Sequence, residues 1–129
     1  MNNLIKNLEN KIKNSYEEGV TIEVAERLAG EFLHAQMLLS AEMRKTGLDA
    51  RMRKSGVKAI RAAIYMEGAT KGDKKPSDVL LQAQVDMNDL VMGEQKSYDE
   101  SEENFTELQR YYDIFTQAHV YFRQLAKAQ

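Results

Sequence analysis

The feature that most restricts the fold is a single strong turn signal in a chain of 129 residues. The only proline, Pro76, closes a polar segment that also contains Gly68 and Gly72. On both sides of this segment the chain is rich in Ala, Leu, Met, Glu, Gln, Lys and Arg, which are good helix formers. Nowhere do four or more residues alternate between apolar and polar, as they would in a half-buried strand. The sequence therefore predicts an all-α fold.

Three helices are expected, within a single helical domain that spans residues 1–129. The predicted bounds are about 3–18 for a short N-terminal helix and about 21–67 and 77–127 for two long helices. The linker between the long helices covers residues 68–76. Two long helices of similar length joined by a short polar linker are typical of an antiparallel helical hairpin.

Two glycines weaken the middle of the first long helix. Gly47 and Gly56 each cost about 1 kcal/mol relative to alanine inside a helix. The sequence leaves open whether the helix continues through them, bends or breaks.

The C-terminal helix has two apolar rows. The first row contains Phe105, Leu108, Tyr112, Phe115, His119, Phe122 and Ala126, and the second contains Tyr111, Ile114, Ala118, Tyr121 and Leu125. A helix that is apolar on two faces needs two partners. One partner is the other long helix, and the second is the N-terminal helix or another copy of the chain. We expect a homo-oligomer whose interface contains Phe105, Leu108, Tyr111, Tyr112, Phe115, Tyr121 and Phe122.

Charge is distributed unevenly along the chain, although the total is only −2. The net charge is −3 over residues 1–43, +7 over residues 44–75 and −6 over residues 76–129. At 100° per residue, one arc of about 100° on the first long helix contains Arg44, Arg51, Lys54, Lys58 and Arg61. The roughly opposite arc, which we expect to pack inward, contains Leu48, Met52, Ala59, Ile60 and Ala63.

An outward row of basic side chains with more on an adjacent loop is typical of a protein that binds a phosphate backbone. The candidate nucleic-acid-binding residues are Arg44, Arg51, Arg53, Lys54, Lys58, Arg61, Lys71, Lys74 and Lys75. In an antiparallel hairpin this row lies alongside a segment that holds Asp86, Asp89, Glu94, Asp99 and Glu100. Pairing with those carboxylates inside the protein or between subunits is therefore an alternative, as is contact with an acidic protein or a membrane surface.

The aromatic residues are separated from the basic ones. Seven of the ten lie between Tyr98 and Phe122, and the basic segment contains only Tyr65. Surfaces that stack bases interleave aromatic side chains with positive charge. Any contact with nucleic acid is therefore expected to be with the backbone, independent of base sequence and sensitive to salt.

Signatures of catalysis are missing from the sequence. The chain has no cysteine, which excludes disulfides, thiolate nucleophiles and zinc–cysteine sites. Glu31 and His34 have the Glu-x-x-His spacing of di-iron bundles, but the only other histidine, His119, has Thr116 three residues before it. His119 is expected to be a hydrogen-bonded packing residue. No phosphate-binding loop or nucleophile motif is present, and we expect no enzymatic activity, no metal site and no cofactor.

Targeting signals are also not apparent. The N-terminus is polar from Asn2 onward, unlike a signal peptide, and no run approaches the roughly 20 apolar residues that span a bilayer. We expect a cytoplasmic protein that does not act in a membrane.

The plan of the chain resembles a known family. A long helix ends in the segment 58–68, Lys-Ala-Ile-Arg-Ala-Ala-Ile-Tyr-Met-Glu-Gly, before a polar basic linker and a second long helix with an aromatic end. Over residues 21–127 this is similar to the phage recombination mediator proteins of the UvsY kind, although that family tends to have a paired tyrosine where this chain has only Tyr65. The resemblance implies a helical, oligomeric protein that binds single-stranded DNA and works with a recombinase and a single-strand-binding protein.

Three functions fit these patterns. The first is an oligomeric accessory protein that binds single-stranded DNA, in the cytoplasm of the host cell if it is encoded by a phage. The second is a structural or adaptor oligomer, such as a virion or scaffold component, whose charges serve subunit packing. The third is a small inhibitor that binds a partner protein through its acidic C-terminal face.

Overall fold

The computed structural model describes residues 1–127, and within them it contains four α-helices and no strand. The helices are α1 (Asn2–Glu18), α2 (Ile22–Thr70), α3 (Asp78–Met87) and α4 (Asp89–Lys127). The all-α class, the short N-terminal helix and the pairing of long helices are confirmed. The predicted oligomer stays a prediction.

The chain folds into two compact units, and α2 and α4 each contribute to both. The first unit consists of Met1–Arg44 and Thr106–Gln129, and the second consists of Lys45–Phe105. The prediction of a single domain over residues 1–129 stays a prediction.

Helix α2 runs without interruption through both of its central glycines. A Cβ atom on Gly47 would lie 3.2 Å from the Cε2 atom of Phe105. The absence of a side chain at this position therefore allows the aromatic ring of α4 to approach the α2 backbone closely. The cost of glycine in helix propensity is offset here by packing.

The prediction of one continuous C-terminal helix over residues 77–127 is wrong. The helix is interrupted at Asn88, whose φ of −70° and ψ of 130° are those of extended backbone. The Asn88 Oδ1 atom accepts hydrogen bonds from the backbone N–H groups of Leu90, at 2.9 Å, and Val91, at 3.2 Å. Asparagine is a preferred N-cap residue, so Asn88 is both the C-cap of α3 and the N-cap of α4.

The linker is shorter than the sequence pattern indicated. Helix α2 extends to Thr70, and α3 begins at Asp78 after Ser77, whose Oγ atom accepts a hydrogen bond from the backbone N–H of Leu80. Residues 71–77 therefore connect the two helices. Gly72 has a φ of 106°, a conformation that glycine adopts more readily than other residues.

The core of the first unit is aromatic and is shared by α1, α2 and α4. Phe32 of α2 is fully buried, and its ring centroid lies 5.4 Å from that of Phe115 and 5.6 Å from that of Phe122, both on α4. Helix α1 adds Ile5 and Leu8 to the same cluster. The first apolar row predicted on the C-terminal helix thus supplies this core.

This packing corrects the predicted oligomer interface. Phe115 and Phe122 are at most 1% exposed within the chain itself, so they have no surface left for another subunit. Tyr121 of the second apolar row stacks on Tyr16 of α1 with ring centroids 6.3 Å apart but stays 43% exposed. The side chains of Phe105, Leu108, Tyr111 and Tyr112 are half-buried.

The core of the second unit is smaller. Ala50 and Val57 of α2 are buried, as are Leu81 and Val85 of α3 and Val91 of α4. Compared with the three phenylalanines of the first unit, these side chains bury little apolar area, which is the main source of folding free energy.

The inward face predicted for this part of α2 is wrong at four of its five positions, and the fifth, Ile60, is half-buried. Leu48 and Met52 are 53% and 66% exposed, and Ala59 and Ala63 are exposed as well. Ala50 and Val57 face the core instead. A spacing of seven residues places Ala50 and Val57 on the same side of α2.

We expect Phe115→Ala to lower the free energy of unfolding by about 3–5 kcal/mol, because it removes a fully buried ring and leaves a cavity. Met37→Ala, at a position 66% exposed, is the control and should change it by less than about 0.5 kcal/mol. Urea unfolding followed by circular dichroism measures both. Equal effects of the two substitutions would contradict the assignment of Phe115 to the core.

We expect Gly30→Ala to raise the free energy of unfolding by about 0.5–1 kcal/mol, because nothing lies within 4 Å of the added Cβ and alanine is the better helix former. Gly68→Ala is the matched comparison. Its Cβ would lie 3.0 Å from the Cδ2 atom of Leu81 and 3.1 Å from the Oε1 atom of Gln84, so the gain in propensity is offset by crowding. Thermal unfolding of both variants tests this, and a stabilisation by Gly68→Ala equal to that by Gly30→Ala would contradict it.

Candidate nucleic-acid interface

Eight of the nine basic residues predicted to bind nucleic acid belong to the second unit, and the ninth, Arg44, is the last α2 residue of the first unit. All of them are exposed except Arg61, which is half-buried. Five of the eight are on α2 and three are on the linker.

Arg53 is held by a carboxylate on its own helix. Its Nε atom donates a hydrogen bond to the Oδ2 atom of Asp49 at 2.9 Å. The same oxygen accepts a hydrogen bond of 2.6 Å from the hydroxyl of Ser101 on α4. These two hydrogen bonds, that of Ser101 above all, lower the pKa of Asp49 below its ordinary value.

Arg61 is held across the hairpin. Its Nη2 atom lies 2.7 Å from the Oδ1 atom of Asp86 on α3. The same carboxylate was anticipated from the sequence as a neutralising partner. Internal pairing therefore accounts for Arg53 and Arg61, and these two residues are the poorest candidates for phosphate contacts.

The other six predicted cations of the second unit make up what we call the cationic surface. It consists of Arg51, Lys54, Lys58, Lys71, Lys74 and Lys75. Within residues 1–127, none of these side chains has a carboxylate within 4.0 Å. At a rise of 1.5 Å per residue, the three cations of α2 extend over about 10 Å of the helix.

The linker lysines follow directly from the end of α2, and the two helix ends beside them are tied together. The hydroxyl of Tyr65 on α2 donates a hydrogen bond of 2.7 Å to the Oδ1 atom of Asp78, the first residue of α3. This hydrogen bond to a carboxylate raises the pKa of the tyrosine. Tyr65 is the only aromatic residue of the basic segment, and this pairing shows its role to be structural.

The opposite charge is concentrated along α4. An open groove in the second unit is lined in part by Asp86, Asp99, Glu100 and Glu103. Such a lining repels a phosphate backbone, so the α2 and linker side of the unit is the side suited to nucleic acid.

The two histidines have separate environments. The Nδ1–H group of His119 donates a hydrogen bond of 2.8 Å to the backbone carbonyl of Ala29, which confirms its prediction as a packing residue. Glu31 forms a salt bridge of 2.6 Å with Lys11, and His34 is exposed. Among the residues that the structure describes, no group of three or more side chains is arranged to hold a metal ion.

No protein-family model, curated protein or solved structure matches this chain. The resemblance to the phage recombination mediators therefore stays a prediction. In the part of the chain from residue 1 to residue 127, no helix is both long and apolar enough to cross a membrane.

The lowered pKa of Asp49 predicts a dependence of stability on pH. A carboxyl group whose pKa is lower in the folded than in the unfolded chain stabilises the fold above its unfolded pKa, and this stabilisation is lost as the pH falls through the folded pKa. Asp49→Asn should therefore destabilise the chain near neutral pH and lose its effect in strong acid. Urea midpoints measured between about pH 2 and pH 7 test this.

Ser101→Ala serves as the second variant because Ser101 makes the larger contribution to the lowered pKa. It should weaken the same pH dependence without removing the carboxylate. A constant difference between wild type and Asp49→Asn over the whole pH range would contradict the assignment.

Proposed function

We propose that the protein is a non-enzymatic, oligomeric accessory protein that binds single-stranded DNA through the cationic surface. The observation that supports this proposal is the set of six exposed cations in the second unit that have no carboxylate partner within the described residues. Like charges on an exposed surface repel each other, and a bound polyanion relieves this repulsion. A phosphate backbone is the polyanion that such a surface fits best.

The mode of binding follows from the side chains that are present. Lysine and arginine contact phosphates without reading base sequence. The aromatic side chains that stack bases are located elsewhere, and Tyr65 is bonded to Asp78. Binding is therefore independent of base sequence.

The preference for single strands, and the recombinase and single-strand-binding protein as partners, rest on the resemblance to the mediator family. In that role the protein would hold a strand while a recombinase is loaded onto it. Modest contacts from each subunit would add through multivalency in an oligomer.

A structural or adaptor oligomer is the second candidate function. The observation that favours it is the pairing of Arg61 with Asp86 and of Arg53 with Asp49, which neutralises two cations of the basic segment within the chain. For such a protein the cationic surface would contact only protein. Nucleic-acid binding at low salt separates the two candidates.

We expect fluorescence anisotropy to show binding of a labelled single-stranded oligonucleotide that weakens steeply with salt. Neutralising six phosphates per chain corresponds to a slope of about −4 in log K against log salt concentration. Between about 50 and 200 mM salt the affinity should then fall by a factor on the order of 10². Binding to a duplex of the same sequence should be weaker.

The triple variant Arg51→Glu, Lys54→Glu, Lys58→Glu should abolish this binding, because it removes three phosphate contacts and places three anions in their positions. A matched control reverses three exposed cations of the first unit, Lys6, Lys13 and Arg27, and changes the net charge by the same amount. The control should retain most of the affinity. Equal losses in both variants would indicate a general effect of charge and would refute the site.

A further inference from the structure

We infer that the second unit has two different, mutually complementary outer faces through which copies of this chain assemble head to tail. One face is on α2 and the other is on α3, and both are apolar and exposed. This surface differs from the aromatic C-terminal rows that the sequence suggested.

The face on α2, the α2 outer row, has the spacing of a helix-pairing stripe. It consists of Leu48, Met52, Ser55, Ala59, Ala62 and Met66, all of them exposed. The positions follow alternating steps of four and three residues, which keep a stripe on one side of a helix that pairs with another. Small residues in its centre allow the second helix to approach closely.

The face on α3, the α3 outer row, consists of Val79, Leu80, Ala83 and Met87. Val79 is 81% exposed and Met87 is 77% exposed. These residues occupy an arc of about 100° on the helix, and the buried Leu81 and Val85 lie on the opposite side. A helix apolar on both sides needs a partner on each, and within residues 1–127 only the inner side is covered by the chain itself.

Opposite net charges favour contact between the α2 outer row of one copy and the α3 outer row of another. Residues 45–70, which contain the α2 outer row, carry a net charge of +4, and residues 78–94, which contain the α3 outer row, carry −4 with no basic residue. Contact between two α2 rows or between two α3 rows would bring like charges together. Contact between an α2 row and the α3 row of a second copy brings opposite charges together.

The position of the rows determines the kind of assembly. The α3 row lies opposite the buried Leu81 and Val85, and Leu48 and Met52 of the α2 row lie opposite the buried Ala50 and Val57. At the other end of the α2 row, Ala62 and Met66 border an open groove that α3 also lines. A copy that docks its α2 row on a neighbour's α3 row still has its own α3 row free for a third copy. Such a heterologous contact produces a closed ring or a filament rather than a two-fold dimer.

The test uses two double variants that remove one row each. Leu48→Gln with Met52→Gln disables the α2 row, and Val79→Gln with Met87→Gln disables the α3 row. Glutamine is a good helix former, and all four positions are exposed, so the helices are retained and circular dichroism verifies this. Met92→Gln with Val120→Gln is the control, since it removes two exposed apolar side chains outside both rows.

Sedimentation velocity without nucleic acid is expected to show that the wild type and the control assemble beyond a dimer as concentration rises. Each row variant alone should remain a monomer. An equimolar mixture of the two row variants should form a heterodimer and nothing larger, because the mixture retains one intact pair of faces.

A wild type that remains monomeric at every concentration would overturn the inference, as would a row variant that assembles like the wild type. A row variant that dimerises alone would show a like-with-like contact and would also overturn it. So would a mixture that contains only monomers. Because the samples contain no DNA, failure here leaves the proposed DNA binding to be judged by its own anisotropy measurement.

Discussion

Apolar side chains on more than one face of a helix must be covered, and this constraint explains most of the structure. In the first unit α1 provides the additional cover, with Ile5 and Leu8 packed into the cluster around Phe32. In the second unit α2 pairs with α3 and the start of α4, and no third helical layer is present among its residues. The first unit therefore covers its additional apolar faces with α1, whereas the second unit has no further helix and leaves two apolar rows exposed.

Much of the fold was predictable because it depends on patterns that a single helix reveals. The aromatic row of the C-terminal helix identified Phe115 and Phe122 as apolar contacts, but periodicity does not say whether the contact is within one chain or between two. The break at Asn88 was missed since one residue with good N-cap chemistry interrupts an otherwise helical composition. The inner face around Val57 was missed because this part of α2 has apolar side chains on opposite sides, and periodicity does not say which side packs.

The positions of the basic residues in the candidate site were predictable from the sequence, but their salt-bridge partners were less so. A sequence locates basic residues on one arc of a helix, but the alignment of two helices determines which of them meet a carboxylate. Arg61 meets Asp86 and Arg53 meets Asp49, whereas Lys54, close to both in sequence, meets none within the described residues. The Arg53–Asp49 pair lies within α2 at a spacing of four residues and does not depend on helix alignment. The Arg61–Asp86 pair joins two helices, and because salt-bridge distances are shorter than one helical turn, a small error in alignment reassigns it.

The order of contacts along the hairpin has a consequence for how the chain folds. The contact nearest the linker, between Tyr65 and Asp78, joins residues 13 apart in the sequence. The next contacts outward join residues that are 25, 52 and 80 apart. The outermost, between Ala29 and His119, joins residues 90 apart. Closing the longest of these loops directly from the unfolded chain costs about 1.7 kcal/mol more conformational entropy than closing the shortest. Each contact made near the linker shortens the loop that the next must close. The lowest-cost route therefore proceeds outward from the linker, and the segments with the largest buried side chains join last.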